Sequence, residues 1–201
     1  MNSPQCKELV LNLLLTFINI LKRMNNFIQI LTYFRIIAGP IIFFLIVFFQ
    51  SYGIALSILL LASASDYWDG YLARKYSLTS ILGAVLDPIA DKILITFVLI
   101  GLVLALDSMF IAFFGSMMLA REFWVGALRD LNARNGNEAA TTVTFLAKIK
   151  TTMQLTTFCW ILTGLYFNSA LMIFLGNFFL FLALIITIQT GLSYTIATFR
   201  R

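Results

Sequence analysis

Long runs of apolar residues, separated by short polar segments, dominate the chain from residue 36 onward. Apolar runs of about 18 residues or more are typical of membrane-spanning helices. Alternation of polar and apolar residues over strand lengths, the mark of a membrane β-barrel, is not visible. Six helices are therefore predicted, at about Ile36–Phe49 with the turn before it, Ile54–Tyr76, Ser80–Leu106, Met109–Asn132, Ala139–Tyr166 and Leu171–Thr198.

Composition supports this pattern. The chain of 201 residues is 61% hydrophobic and only 11% charged, with a mean hydropathy of +0.94. A soluble domain is about a quarter charged. The predicted fold class is an all-α integral membrane protein with six transmembrane helices and an N-terminal interfacial helix.

The N-terminal region is the least regular part. Residues 1–24 contain an apolar run, Leu9 to Leu21, that is too short to span a bilayer comfortably. We interpret 1–24 as an extension or an interfacial segment, and 25–201 as the membrane domain. Residues 25–35 are amphipathic and end in Arg35, which favours a helix at the cytoplasmic face that leads into the first span.

Basic residues are unevenly distributed between the helix ends. The connections near residues 50–53, 107–108 and 168–169 carry no Lys or Arg, whereas the other ends do. By the positive-inside rule, both termini face the cytoplasm. The net charge of +5 therefore reflects topology and anionic lipid, and nucleic acid is not an expected partner.

Four aspartates form the main candidate for chemistry. Asp66 and Asp69 are one helical turn apart, and Asp87 and Asp91 stand in the same relation on the next helix. Carboxylates beside hydrocarbon are costly unless cations neutralise them. The chain has no His, so hard oxygen-seeking ions such as Mg²⁺ or Mn²⁺ are favoured, and these also bind phosphate oxygens.

The spacing around these aspartates is D-x2-D-G-x2-A-R-x8-G-x3-D-x3-D. It is filled by Asp66, Asp69, Gly70, Ala73, Arg74, Gly83, Asp87 and Asp91. The pattern resembles the CDP-alcohol phosphatidyltransferase family, integral membrane enzymes that move a phosphatidyl or similar group from a CDP-linked substrate to an alcohol. The resemblance implies a two-metal site on the four aspartates, with Asp91 also accepting the proton of the alcohol.

The resemblance also implies contacts to the CDP-linked substrate. The segment before the first span is similar to the family's N-x-P-N-x-L-T-x-x-R, although Ile28 and Gln29 replace the proline and the second asparagine. The residues implied by similarity are Gln29, Thr32, Gly70, Ala73, Arg74 and Ser80. From the residues alone, helix packing explains Gly70 and Ala73 equally well, and a snorkelling helix end explains Arg74.

Two further segments bear on the acceptor. The fourth span contains Ala120, Arg121 and Glu122, and the fifth contains A-K-I-K-T-T-M-Q with Lys148 and Lys150. Charge within a span suggests function by default, although an ion pair between Arg121 and Glu122 is an alternative. Both segments resemble the subgroup of the family that makes phosphatidylglycerophosphate. The resemblance implies CDP-diacylglycerol and sn-glycerol 3-phosphate as substrates, with Arg121, Lys148 and Lys150 binding the acceptor phosphate.

Two alternatives remain open. The same chemistry could use serine, an inositol phosphate or phosphatidylglycerol as acceptor. A divalent-cation transporter is an alternative of a different class. Transporters often contain inverted repeats, but the sequence has no second copy of the aspartate cluster. The resemblance further implies a homodimer in a bacterial inner membrane, or a mitochondrial one, with the active site facing the cytoplasm.

Overall fold

The part of the chain that the structure describes folds into six α-helices, and short turns form three of the connections between them. A computed structural model describes residues 29–76, 81–135 and 145–199, with side chains over 29–68, 86–135 and 152–199. All regular elements in these ranges are α-helical. The helices are α1 (Gln29–Val47), α2 (Tyr52–Tyr76), α3 (Ile81–Leu106), α4 (Met109–Arg134), α5 (Phe145–Tyr166) and α6 (Ala170–Phe199).

Four stretches of these helices are long and apolar enough to cross a membrane: Gln29–Val47, Leu86–Leu106, Met109–Arg134 and Ala170–Phe199. They confirm the all-helical, membrane type of architecture. That all six helices cross the bilayer stays a prediction. The N-terminal segment 1–24, predicted as an extension or interfacial helix, lies outside the described residues.

Three tight turns fall where the polar connections were predicted. Gln50, Asp107 and Asn168 each adopt a left-handed backbone, with φ of 49°, 44° and 50°. Asp and Asn tolerate this conformation because their short polar side chains bond locally. Ser108 then caps α4, since its side-chain oxygen accepts a hydrogen bond from the backbone N–H of Ile111 at 3.3 Å.

The first helix differs from the prediction. A separate surface helix was expected to end at Arg35, but α1 runs without a break through this residue, and Arg35 is fully buried. The reason is the spacing of the buried side chains, because Thr32, Arg35, Ala38 and Ile42 recur every three or four residues and form one stripe. Thr32 and Arg35 in the first half of α1 and Gly39 and Ile46 in the second half all contact α3.

The three turns lie at the same end of the assembly. Gly53, just after the first turn, packs against the ring of Tyr166, just before the third. Gly101 near the end of α3 packs against Ile46 near the end of α1. The helices thus alternate in direction, and the halves of α1, α2 and α3 that carry Arg35 and the aspartates lie at the opposite end.

One apolar core draws on all six helices. Its buried members include Ile42, Leu59, Val98, Met118, Phe158 and Leu180. Helices α5 and α6 approach each other closely, since Gly164 lies against the backbone of Ile173 and Gly176 against Ile161. Small residues at such crossings let the two backbones meet within the bilayer.

Candidate active site

A single arginine from α1 gathers carboxylates from two other helices. Nη1 of Arg35 donates to Oδ1 of Asp66 on α2 and to Oδ1 of Asp91 on α3, the latter at 2.5 Å. Nη2 donates to Oδ1 of Asp87, one turn earlier on α3, at 3.2 Å. Asp66, Asp87 and Asp91 therefore converge, and the helical spacing predicted this for Asp87 and Asp91, which lie one turn apart on α3. We call these three side chains and Arg35 the acidic centre.

The acidic centre has a buried base and an open rim. The side chain of Arg35 is 0% exposed, whereas those of Asp66, Asp87 and Asp91 are 50%, 37% and 43% exposed. Within the described residues, their Oδ2 atoms take part in no hydrogen bond. One oxygen of each carboxylate is thus anchored while the other can meet a ligand.

Thr32 supports the acidic centre from one turn before Arg35. Its hydroxyl donates to Oδ1 of Asp87 at 2.7 Å, and the residue is 1% exposed. Asp87 is therefore fixed by two residues of α1. Gln29, one further turn back, is half-buried. The predicted contacts of Gln29 and Thr32 with a CDP-linked substrate stay predictions.

The chemistry of the acidic centre suits a hard divalent ion. Each of the three carboxylates has an outer oxygen on the half-exposed rim, and carboxylate oxygens are the ligands that Mg²⁺ and Mn²⁺ prefer. Within the described side chains, however, the carboxylates surround the guanidinium and do not by themselves form a metal-holding group. The oxygens present fit such an ion, with Arg35 as a counter-charge already in place.

Several predicted site residues lie outside the described side chains. Asp69, Gly70, Ala73 and Arg74 belong to the last turns of α2, for which the backbone alone is described, as it is for Lys148 and Lys150 on α5. Ser80 lies outside the described residues. Their predicted roles in binding metal, the CDP-linked substrate or the acceptor phosphate stay predictions.

Arg121 belongs to a polar seam between α4 and α6. Its Nε donates to the backbone oxygen of Thr187 at 2.9 Å, and its Nη2 donates to Oγ1 of Thr190 at 2.6 Å. Toward the end of α4, Arg129 donates to the hydroxyl of Tyr194 at 3.1 Å and lies over its ring. Among the described residues, both arginines have neutral partners. Their charge remains able to attract an anion.

The position of Lys92 was not predicted. Its Nζ lies 5.2 Å from the centre of the Phe123 ring and directly against Gly126 of α4. No ion pair of Lys92 is found in the described part of the chain. A side chain at residue 126 would meet this ammonium group, so the glycine makes room for a cation beside α4. The sequence gives no signal for this contact beyond the presence of a glycine.

Arg35 is the residue of the acidic centre that the sequence did not identify as such. Arg35 occupies the last position of the motif N-x-P-N-x-L-T-x-x-R, and the resemblance implies that this segment contacts the CDP-linked substrate. Its partners lie 31, 52 and 56 residues away along the chain. Helical periodicity relates residues within one helix and so gives no signal for this contact. The one signal in the sequence for this contact is electrostatic, because clustered carboxylates require a cation and Arg35 can provide it.

Together, the helices and the acidic centre define an all-helical, membrane-type protein with a cluster of half-exposed carboxylates anchored on buried arginine. The sequence profile of the CDP-alcohol phosphatidyltransferase family matches residues 25–189. The chain belongs to this family. The match includes the whole acidic centre and the polar residues of α4.

Bacterial relatives share most of the chain. The proteins of Salmonella typhimurium and Escherichia coli (strain K12) named CDP-diacylglycerol–glycerol-3-phosphate 3-phosphatidyltransferase are 30% and 31% identical to it over 173 and 172 residues. Each alignment covers 84% of this chain and 92% of the relative. With its membrane-type helices, the chain is thus an integral membrane member of a phosphatidyltransferase family.

Proposed function

We propose that this protein transfers the phosphatidyl group of CDP-diacylglycerol to sn-glycerol 3-phosphate, giving phosphatidylglycerophosphate and CMP. The observation that carries the proposal is the acidic centre: three carboxylates from two helices, each anchored on Arg35 and each with an exposed edge. The names of the bacterial relatives support the choice of substrates. Phospholipid biosynthesis is the corresponding process.

The carboxylate oxygens of the acidic centre support a requirement for a divalent metal ion. Asp66, Asp87 and Asp91, together with Asp69, would hold Mg²⁺ or Mn²⁺ in a two-metal site. When bound, the ions supply positive charge that neutralises the diphosphate of CDP-diacylglycerol and its departing CMP.

Asp91 is proposed as the base. Its Oδ1 is held by Arg35 at 2.5 Å, and its side chain is 43% exposed, so the outer oxygen can reach a bound alcohol. The acceptor hydroxyl oxygen forms a bond to the phosphorus of the phosphatidyl group, the bond from that phosphorus to CMP breaks, and the hydroxyl proton passes to Asp91. Arg35 keeps the carboxylate in place during this exchange.

Cations supply the proposed selectivity for a phosphorylated acceptor. Arg121, Lys148 and Lys150 would bind the phosphate of sn-glycerol 3-phosphate, and the neutral partners of Arg121 leave its charge available for this. Gln29, Thr32, Gly70, Ala73, Arg74 and Ser80 would contact CDP-diacylglycerol. We further propose a homodimer in a bacterial inner membrane with the acidic centre facing the cytoplasm, because the basic helix ends favour that orientation.

The acceptor is tested with purified protein, CDP-diacylglycerol and Mg²⁺ or Mn²⁺, with CMP release as the readout. Glycerol 3-phosphate, serine, an inositol phosphate and phosphatidylglycerol are supplied in separate reactions, and one reaction contains chelator. We expect CMP release with glycerol 3-phosphate alone, and none with chelator.

Release with serine and not with glycerol 3-phosphate would refute the proposed acceptor but not the transfer of the phosphatidyl group from CDP-diacylglycerol. Undiminished release in chelator would refute the metal site. No release with any acceptor, together with divalent-ion flux through protein-containing vesicles, would favour a transporter instead.

A further inference from the structure

We infer that Arg35 is a positioning residue whose positive charge neutralises part of the negative charge of the carboxylates. Arg35 therefore competes with the divalent ions and sets the affinity of the site for metal. The inference rests on the proposed metal site. It assigns to α1 a part of that site, in addition to the aspartates of α2 and α3. Arg35 itself need not touch either substrate, because it acts through Asp66, Asp87 and Asp91.

Arg35 neutralises part of the negative charge of the three carboxylates. Three carboxylates carry up to three negative charges, and Arg35 is the cation to which all three bond. At a separation of a few ångströms in a partly buried site, one positive charge weakens the binding of a divalent ion by at least about tenfold. A fixed guanidinium therefore weakens metal binding compared with the same carboxylates alone.

The guanidinium of Arg35 also fixes the orientation of the carboxylates. Arg35 is 0% exposed and belongs to α1, and its partners come from α2 and α3. The planar guanidinium offers several N–H groups in fixed directions, which lets Nη1 serve Asp66 and Asp91 while Nη2 serves Asp87. Arg35 thus fixes the inner oxygens and directs the outer ones toward the rim.

The two roles predict opposite results when the charge is removed. A merely structural arginine holds the carboxylates in place, so its loss should weaken metal binding. An arginine that shares their charge competes with the metal, so its loss should strengthen metal binding. The sign of the change in metal affinity therefore separates the two roles without a measurement of activity.

The experiment measures Mn²⁺ binding to the purified full chain in detergent, from the electron paramagnetic resonance signal of free Mn²⁺. Wild type is compared with Arg35→Met and with Arg35→Gln, which lacks the charge but keeps hydrogen-bonding groups. We expect both neutral variants to bind Mn²⁺ at least about tenfold more tightly than wild type. Arg35→Lys keeps the charge but lacks the planar set of N–H groups, so it should bind Mn²⁺ less tightly than either neutral variant.

A matched control is Arg134→Met. Arg134 is an exposed arginine that pairs with Asp130 one turn away on α4, so its loss should leave the Mn²⁺ affinity unchanged. Equal or weaker Mn²⁺ binding in the neutral variants would overturn the inference while leaving the proposed function intact.

If Arg35→Met does not fold, Arg35→Gln still tests the inference because it keeps hydrogen-bonding groups, and Mn²⁺ binding no tighter than wild type would overturn the inference. If neither neutral variant folds, Arg35 is required for the fold itself and the inference is overturned. Absence of Mn²⁺ binding to wild type would instead refute the proposed metal site, and the inference with it.

Discussion

Arg121 lies in the middle of an apolar helix, where a charged side chain is costly. Its guanidinium bonds to the backbone oxygen of Thr187 and the hydroxyl of Thr190. These oxygens accept hydrogen bonds from two of its N–H groups but do not neutralise its charge. The same residue can therefore hold α4 against α6 and attract the phosphate of an acceptor.

Replacement of Arg121 by alanine tests the second role. We expect the KM for glycerol 3-phosphate to rise at least about tenfold, since a charge-assisted bond to phosphate contributes about 1.5–3 kcal/mol. The KM for CDP-diacylglycerol should change little. Initial rates of CMP release, measured over a range of each substrate, provide both values.

The matched control is Trp124→Phe, which removes another hydrogen bond across the same helix pair, from Trp124 Nε1 to Thr195 at 3.0 Å. It should lower thermal stability slightly and leave the acceptor KM unchanged. If Arg121→Ala lowers stability in the same way with no change in acceptor KM, Arg121 serves only to join the helices.

Side chains within one helix were easier to predict than contacts between helices. The spacing of Asp87 and Asp91 placed both carboxylates on one face of α3, and the structure brings them together with Asp66. The cation between them comes from a different helix, and nothing in the local spacing of Arg35 indicates its partners. The sequence predicts that a cation neutralises the cluster and favours a metal ion, whereas the structure also places an arginine there.

Helix crossings depend on glycines that differ in what surrounds them. A Cβ at Gly164 on α5 would lie 2.9 Å from the backbone nitrogen of Ile173 on α6, and backbone cannot move aside cheaply. A Cβ at Gly126 on α4 would lie 2.9 Å from Nζ of Lys92, the far end of a flexible side chain. The same substitution should therefore have different effects at the two positions.

Gly164→Ala is expected to destabilise the fold by about 1–3 kcal/mol, because it forces α5 and α6 apart. Gly126→Ala should change stability by less than about 1 kcal/mol, since alanine favours helix and Lys92 can reorient. Thermal unfolding of both variants in the same detergent measures the difference. Equal stability of the two variants would contradict the close approach of α5 and α6.

The helix bounds were largely predictable because apolar length and polar turns mark them directly. The second helix was expected from about Ile54 and begins at Tyr52, and both end at Tyr76. The turns at Gln50, Asp107 and Asn168 fall where basic residues are lacking. The unbroken course of α1 was not predicted. When its partners are unknown, Arg35, one turn after Thr32, resembles the polar end of a surface helix.

Across the whole molecule, the helices alternate so that three tight turns occupy one end and the acidic centre lies toward the other. The exposed carboxylate edges are thus on the side where the chain carries its basic helix ends, which supports a cytoplasmic site for water-soluble acceptors. In the proposed function, the lipid-soluble substrate would approach this site from the bilayer and the phosphorylated alcohol from the cytoplasm.

The most direct test of this account is the formation of phosphatidylglycerophosphate by purified protein in liposomes that contain CDP-diacylglycerol, with glycerol 3-phosphate and Mg²⁺ added and the product identified by mass spectrometry. Wild type should form the product. Asp91→Asn should lose at least about 100-fold in rate while still binding CDP-diacylglycerol, and the exposed control Asp130→Asn should match wild type. Full activity of Asp91→Asn, or no product from wild type, would contradict a transferase centred on these carboxylates.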